Sequence, residues 1–343
     1  MTVQTSEPGV SKAKAIAQSP VHSETRFKKL GAYLKQNEII LVVVVIILII
    51  VAALINPRFI GVDNIKTMSR DIAILAIGAI GVGFVILTGG IDLSVGSIVA
   101  VGGVMTGVFI VNYDLPIWLG ILLTLIIGII IGGIHGLFVT KLKMHGFLIT
   151  LVTMGVARGA MLVITKAFPI TGMPRSFNNI GQGFLFEYIP IPVVIFLVIL
   201  AGSFYLLRYT FIGRHIYAVG GNAEAARLSG VNVEARIILA YVLSTVFSII
   251  VGMIQAGRMT MGHPGAGEGF ELAAITACIL GGLSFAGGSG SVLGIAIGAV
   301  LIGILQNGMI MLNINPYYHK VVIGLVLLVA ISFDYLRRRR QGL

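Results

Sequence analysis

The chain predicts an all-α polytopic membrane protein of about ten transmembrane helices with an inverted repeat, and three observations carry that expectation. Apolar residues fill 57% of its 343 positions, charged residues only 11%, and the mean hydropathy is +1.02. A soluble domain carries about a quarter charged residues. The apolar residues are gathered into stretches of about twenty, the length that crosses hydrocarbon. Two of these stretches also open with the same local pattern: Ile91-Asp92-Leu93 is followed after eight residues by Gly102-Gly103, and Phe270-Glu271-Leu272 after eight residues by Gly281-Gly282.

The first 37 residues are polar and carry Lys12, Lys14, Arg26, Lys28, Lys29 and Lys35. They read as a cytoplasmic arm, disordered to about Glu24, and not as a cleaved leader. The spans follow at 38–56, 70–88, 95–112, 116–139, 146–167, 190–208, 236–256, 270–285, 290–312 and 317–336, and residues 337–343 form a basic tail. With the amino terminus inside, 16 of the 24 Lys and Arg residues fall on the cytoplasmic face, as the charge bias of membrane proteins requires. Both termini are then cytoplasmic, and the net charge of +11 needs no nucleic acid to explain it. The single cysteine, Cys278, lies in an apolar run and allows no intrachain disulfide.

Glycine clusters at 88–97 and 281–291 mark breaks or short turns. Gly128, Gly132 and Gly136 recur every four residues, a spacing that lets membrane helices approach closely, here within one subunit. Under this threading the span after Asp92 runs outward and the span after Glu271 inward, the relation an inverted repeat demands. The halves cover about 70–167 and 236–336, joined by a cytoplasmic segment at 208–236.

Within that segment, a short helix over 222–229 is spelled out by its ends. Asn222 caps the free N–H groups, Glu224 faces the positive end of the dipole, Arg227 the negative end, and Gly230 takes the left-handed position that stops it. Leu228 belongs to the same surface. So short a helix is unstable alone and must pack on something.

Ionisable groups at membrane depth are costly and mark function by default. Asp92 and Glu271 each open a helix, so capping is the first reading of both. With Ser94 and Phe270 they are the candidates for a pathway or gate. Arg158 lies inside a span and is expected to meet a carboxylate from another helix. Phe177, Phe184, Phe186, Tyr188 and Phe270 either supply aromatic surface for a ligand ring or a docking protein or mark the interface belt, which is the first reading of each taken singly.

Enzyme chemistry is not indicated. No Gly-Lys pair exists, so there is no Walker loop, and any ATP is handled by a partner. The six histidines lack metal-ligand spacing. Gly287-Gly-Ser289-Gly290 imitates an intramembrane serine protease with His319 as its base, but His319 falls on the opposite face. No cofactor is implied.

Three runs carry a family resemblance: Ile86-Leu-Thr-Gly-Gly-Ile-Asp-Leu-Ser-Val-Gly-Ser97, Gly213-Arg-His-Ile-Tyr-Ala-Val-Gly-Gly-Asn-Ala-Glu-Ala-Ala-Arg-Leu-Ser-Gly-Val231 and Gly265-Ala-Gly-Glu-Gly-Phe-Glu-Leu272. Over residues 38–336 the chain resembles the permease subunit of bacterial monosaccharide ABC importers of the ribose, xylose, galactose and arabinose type. The resemblance implies the vitamin-importer-like permease fold and an inner-membrane location. It also implies a second permease subunit, an extracytoplasmic sugar-binding protein, and an ABC ATPase that receives the 213–231 segment as a coupling helix. Ala273 departs from the family, which often has an acid there. An ABC permease for branched-chain amino acids or a signalling sugar shares the fold, and an ion-coupled secondary sugar transporter is the alternative from another class.

Overall fold

The computed structural model describes residue 39 and residues 41–341, with side chains to Leu336. The predicted arm at 1–37 lies outside the described residues. A short apolar helix, α1 (Leu41–Ile55), leads into the chain's central helix, α2 (Val62–Leu87), which is buried from Ala73 onward. It begins eight residues before the predicted span, because Asn56 caps a single 3-10 turn (Pro57–Ile60) and the polar residues at 63–71 simply continue into the helix.

The remaining helices are α3 (Val95–Gly107, widened by a π turn at Val108–Asn112), α4 (Ile117–Lys141), α5 (Gly146–Thr165), α6 (Arg175–Gln182) and α7 (Ile191–Tyr209). They are followed by α8 (Phe211–Gly221), α9 (Ala223–Leu228), α10 (Val233–Met259), α11 (Phe270–Leu280), α12 (Val292–Met311) and α13 (Pro316–Gln341). Among the described residues eight helices are long and apolar enough to span a membrane, while α1 and α11 are shorter. The ten predicted spans thus resolve into eight long helices and two short ones. The predicted span 270–285 is cut at Leu280 by the glycine turn, and α13 continues through the predicted tail as far as Gln341. Among the described residues two small antiparallel ladders, β1 (Ile170–Thr171) with β4 (Met261–Gly262) and β2 (Phe184–Leu185) with β3 (Ile189–Pro190), brace the loops between helices. Phe177 of α6 is buried in the core, so it is not a belt residue.

Helices α2 and α10 run antiparallel through the centre: Arg258 meets Asp71 at one end, Gly81 abuts Ser244 in the middle, and Gly90 abuts Tyr241 near the other end. Helix α3 lies along α10 in the same direction, with Asp92 beside Ser244 and Gly103 beside Ala256. Helix α4 runs against α10, and Gly128, Gly132 and Gly136, the predicted small-residue stripe, are all buried, as is His135 beside them. A Cβ on Gly132 or Gly136 would run into the α10 backbone at Val242 and Ile238. Across the molecule, α12 runs against α2, Gly303 touching Ile72 and Gly83 touching Ile295, while α11 packs between α2, α12 and α13. Helices α2, α3 and α4 therefore pack on α10 as α10, α11 and α12 pack on α2, with α5 and α13 outside them.

Lipid solvates an apolar side chain as well as a neighbouring helix does, so these contacts rest on close packing and on interhelical hydrogen bonds of about 0.6 kcal/mol each. Thr245 donates to the carbonyl of Gly128 at 2.7 Å, and Thr106 to Thr124 at 3.2 Å. Helix α2 has 83% of its spanning window buried and α13 only 11%, which orders centre and periphery. A Gly252→Val variant should unfold at a lower temperature in detergent by the equivalent of about 1–3 kcal/mol, because its side chain meets Val99 and Gly102 backbone atoms that cannot yield. A melting temperature equal to the parent's contradicts this.

Candidate functional site

Three neighbourhoods carry the polar chemistry. The first lies at the end of the bundle where Lys141 pairs with Glu234. The 208–236 segment folds there into two helices, and only the second, α9, was predicted. Asn222 ends α8 and caps α9, its Oδ1 accepting from Ala225 N at 2.9 Å. Glu224 and Arg227 occupy the first and last turns and face each other at 3.6 Å, both exposed. Gly230 takes φ +81°, as the stop requires. Ala226 packs with Val219 and Val233, leaving Leu228 pointing out with 82% of its surface exposed.

Helix α8 fixes α9 to the bundle. Gly220 lies against the carbonyl of Leu87, which also accepts from Gly288 N at 3.0 Å, and Tyr217 donates its hydroxyl to Gly290 O at 2.9 Å. Burial pushes the Tyr217 phenol up to about 12, so it remains a donor at neutral pH. Thr210, whose hydroxyl accepts from Gly213 N, and the Ile212, Ile216, Val219 spacing are the signals that could have announced α8.

The second neighbourhood holds the interior starts of α3 and α11. Asp92 is fully buried; one carboxylate oxygen accepts from Ser94 N at 2.9 Å and Ser94 Oγ at 2.6 Å, the other from Ser244 Oγ at 2.7 Å. It closes the turn ahead of α3 and ties that turn to α10. Glu271, the second residue of α11, lies against Gly96 at the start of α3. Arg158 donates to Pro264 O at 2.7 Å, Ala266 O at 2.6 Å and Gly96 O at 3.3 Å. Its bonded partners are thus carbonyls and not the carboxylate expected, because the loop before α11 is non-helical and exposes acceptors the guanidinium can satisfy. The two glycine pairs of the sequence echo also differ: Gly102-Gly103 lies within α3, whereas Gly281-Gly282 ends α11.

The third neighbourhood is a cavity of about 560 Å³ between α2, α10, α11, α12 and α13. Phe270 lines it with Gln255, Gln306 and Asn307, as does Ala273, the position of the departure from the family; Asp92, Ser94 and Glu271 do not. Asp71 pairs with Arg258 on its wall and Glu268 with Lys320 at 2.8 Å. The Lys320 ammonium holds the Glu268 carboxyl below its ordinary range, although so exposed a pair adds little stability. The imitation protease motif stays dismantled: Ser289 O accepts from Ser284 N, and the adjoining Phe285 N reaches Asp334, about 22 Å along α13 from His319. Among the described residues no group of three or more His, Cys, Asp or Glu could hold a metal ion.

A bundle of spanning helices in which α3 and α11 start in the interior, with a polar cavity at one end and a capped exposed helix at the other, defines a membrane permease component. Residues 64–331 match the family described as branched-chain amino acid transport system / permease component, and the chain belongs to that family. It is 43% identical to the ribose import permease protein RbsC of Haemophilus influenzae over 82% of this chain and 88% of that protein. Identity to the Bacillus subtilis ribose import permease protein is 40%, over 92% and 96% of the two chains. The L-arabinose transport system permease protein AraH of Escherichia coli is 36% identical over 84% and 88%. No solved structure matches.

Replacing Arg158 by Met should free the 263–269 loop. Charge-assisted hydrogen bonds contribute about 1.5–3 kcal/mol each, so amides there should exchange hydrogen at least about tenfold faster than in the parent, while α12 amides keep their protection. Unchanged exchange in the loop contradicts the clamp.

Proposed function

We propose that this chain is the membrane-spanning permease subunit of an ATP-driven importer for a monosaccharide. The family model is described for amino acid transport, but the relatives above are named for ribose and L-arabinose. Their identity over more than four-fifths of this chain supports a sugar. The observation that carries the coupling reading is α9: a capped helix whose Leu228 is open to solvent, fastened through α8 to the end of α2 and to the glycine turn before α12.

That end is cytoplasmic in this reading, so both chain termini are as well. It gathers Lys141, Arg208, Arg214, Arg227 and Arg236, in keeping with the bias of inward loops toward Lys and Arg. An ABC ATPase receives Asn222, Glu224, Arg227, Leu228 and Gly230. The cavity on the opposite side faces an extracytoplasmic sugar-binding protein, and a second permease subunit completes the pathway. The series α2–α5 and α10–α13 are inverted halves that meet at the starts of α3 and α11, an arrangement suited to rocking one half against the other. Phe270 is then a wall of the pathway, and Asp92, Ser94 and Glu271 hold the half-helices that move.

Membrane vesicles containing the chain, its ATPase and its binding protein should take up labelled ribose when ATP is supplied and continue to do so with an uncoupler present. Uptake that collapses with the uncoupler overturns the ATP-driven reading. A Leu228→Asp or Arg227→Glu variant should insert normally and lose at least about tenfold in ATP-dependent uptake, the scale of one disrupted interface anchor; parental uptake by both contradicts the coupling role.

A further inference from the structure

We propose that the cavity between α2, α10, α11, α12 and α13 contains a subsite for a neutral polyhydroxylated ligand, a monosaccharide ring held by the carboxamides of Gln255 and Gln306 against Phe270. The inference rests on the importer reading above and adds that the permease itself recognises its cargo.

Uncommitted polar groups carry it first. Gln255 on α10 and Gln306 on α12 both line the cavity, both are partly exposed, and neither carboxamide is hydrogen-bonded within the chain among the described residues. Neighbouring Asn307 shows the alternative, since it exchanges two amide hydrogen bonds of 2.9 Å with Asn64 and has little left to offer. Each free carboxamide brings two N–H donors and an acceptor oxygen. Sugar hydroxyls, which both donate and accept, match that set. His319 adds a further nitrogen on the same wall, its Nε2 enclosed and without a partner.

Charge then selects among ligands of this size. A zwitterionic amino acid has to lose water from a carboxylate and an ammonium, which costs far more than a hydroxyl unless opposite charges await it. Here the charged residues that line the cavity are matched, Asp71 with Arg258 and Glu268 with Lys320. A neutral ligand disturbs neither pair. The Phe270 ring, seated over Gly78 where a Cβ would collide with it, gives a flat apolar surface for the carbon face of a pyranose or furanose. The volume of about 560 Å³ lies within the usual range for small-molecule sites.

The full chain in nanodiscs, probed with ribose by saturation-transfer NMR, should give a signal that leucine does not displace. Gln255→Leu and Gln306→Leu keep side-chain bulk and remove the amide. Each should weaken ribose binding at least about tenfold, as loss of well-made hydrogen bonds does, with the parental melting temperature showing that the variant is folded. Gln306→Asn, which moves the amide back by one methylene, serves if the Leu variant does not fold and should weaken binding by an intermediate factor. Absence of a ribose signal in the parent, displacement by leucine, or binding within twofold of the parent in folded variants overturns the subsite. These outcomes leave the importer reading standing, which falls separately if the vesicles fail to take up ribose with ATP.

Discussion

Backbone approach to α10 is the constraint on which the rest of this structure depends. Between lipid-exposed helices there is no hydrophobic gain from association, so helices that must form a rigid body need surfaces that let main chains touch. Helix α10 meets such surfaces on three sides: the stripe of α4, Gly102 and Gly103 of α3, and Gly81 of α2. The polar bonds then fall where geometry already brings helices together, Ser244 to Asp92 and Thr245 to Gly128 O. Removing the close approach would pull those donors away from their acceptors, so the van der Waals and hydrogen-bond contributions are coupled.

Breaking helices inside a membrane exposes donors and acceptors that water cannot reach. Two ionisable side chains answer that cost, one of each sign. Asp92 accepts from the turn ahead of α3, and Arg158 donates into the loop ahead of α11 and to Gly96. Their roles are complementary because a turn entering a helix leaves N–H groups over, whereas an irregular loop leaves carbonyls. The sequence marks both residues as unusual for their depth; only their three-dimensional neighbours show that each serves backbone.

Much of the architecture is legible in composition and local pattern. Runs of about twenty apolar residues locate the long helices because the hydrocarbon thickness imposes their length, and Asn222, Glu224, Arg227 and Gly230 locate α9 because caps act over one turn. What escaped depends on longer-range facts. Helix α8 has three glycines and a mixed surface, and it forms because Leu87 and Gly288 receive it. The early start of α2 reads as a polar loop until the Asn56-capped turn at Pro57–Ile60 is seen to lead straight into it. The cavity draws Gln255, Gln306 and Phe270 from three helices, and no local spacing brings such residues together. Conversely Asp92, Ser94 and Glu271, which stand out in the sequence as pathway candidates, lie off the cavity and brace the helix starts behind it.

The Gly-for-backbone contacts also govern where this chain can diverge. A residue facing lipid on α7 or α13 can exchange among Leu, Ile, Val and Phe at almost no cost, since one apolar surface suits the bilayer as well as another. Where α10 meets α3, Gly102 and Gly252 cannot gain a side chain without driving its Cβ into the backbone of the facing helix. Substitution is therefore free along the perimeter and arrested along the axis. A lineage that acquires a new cargo has to do so by changing the few side chains that reach empty space.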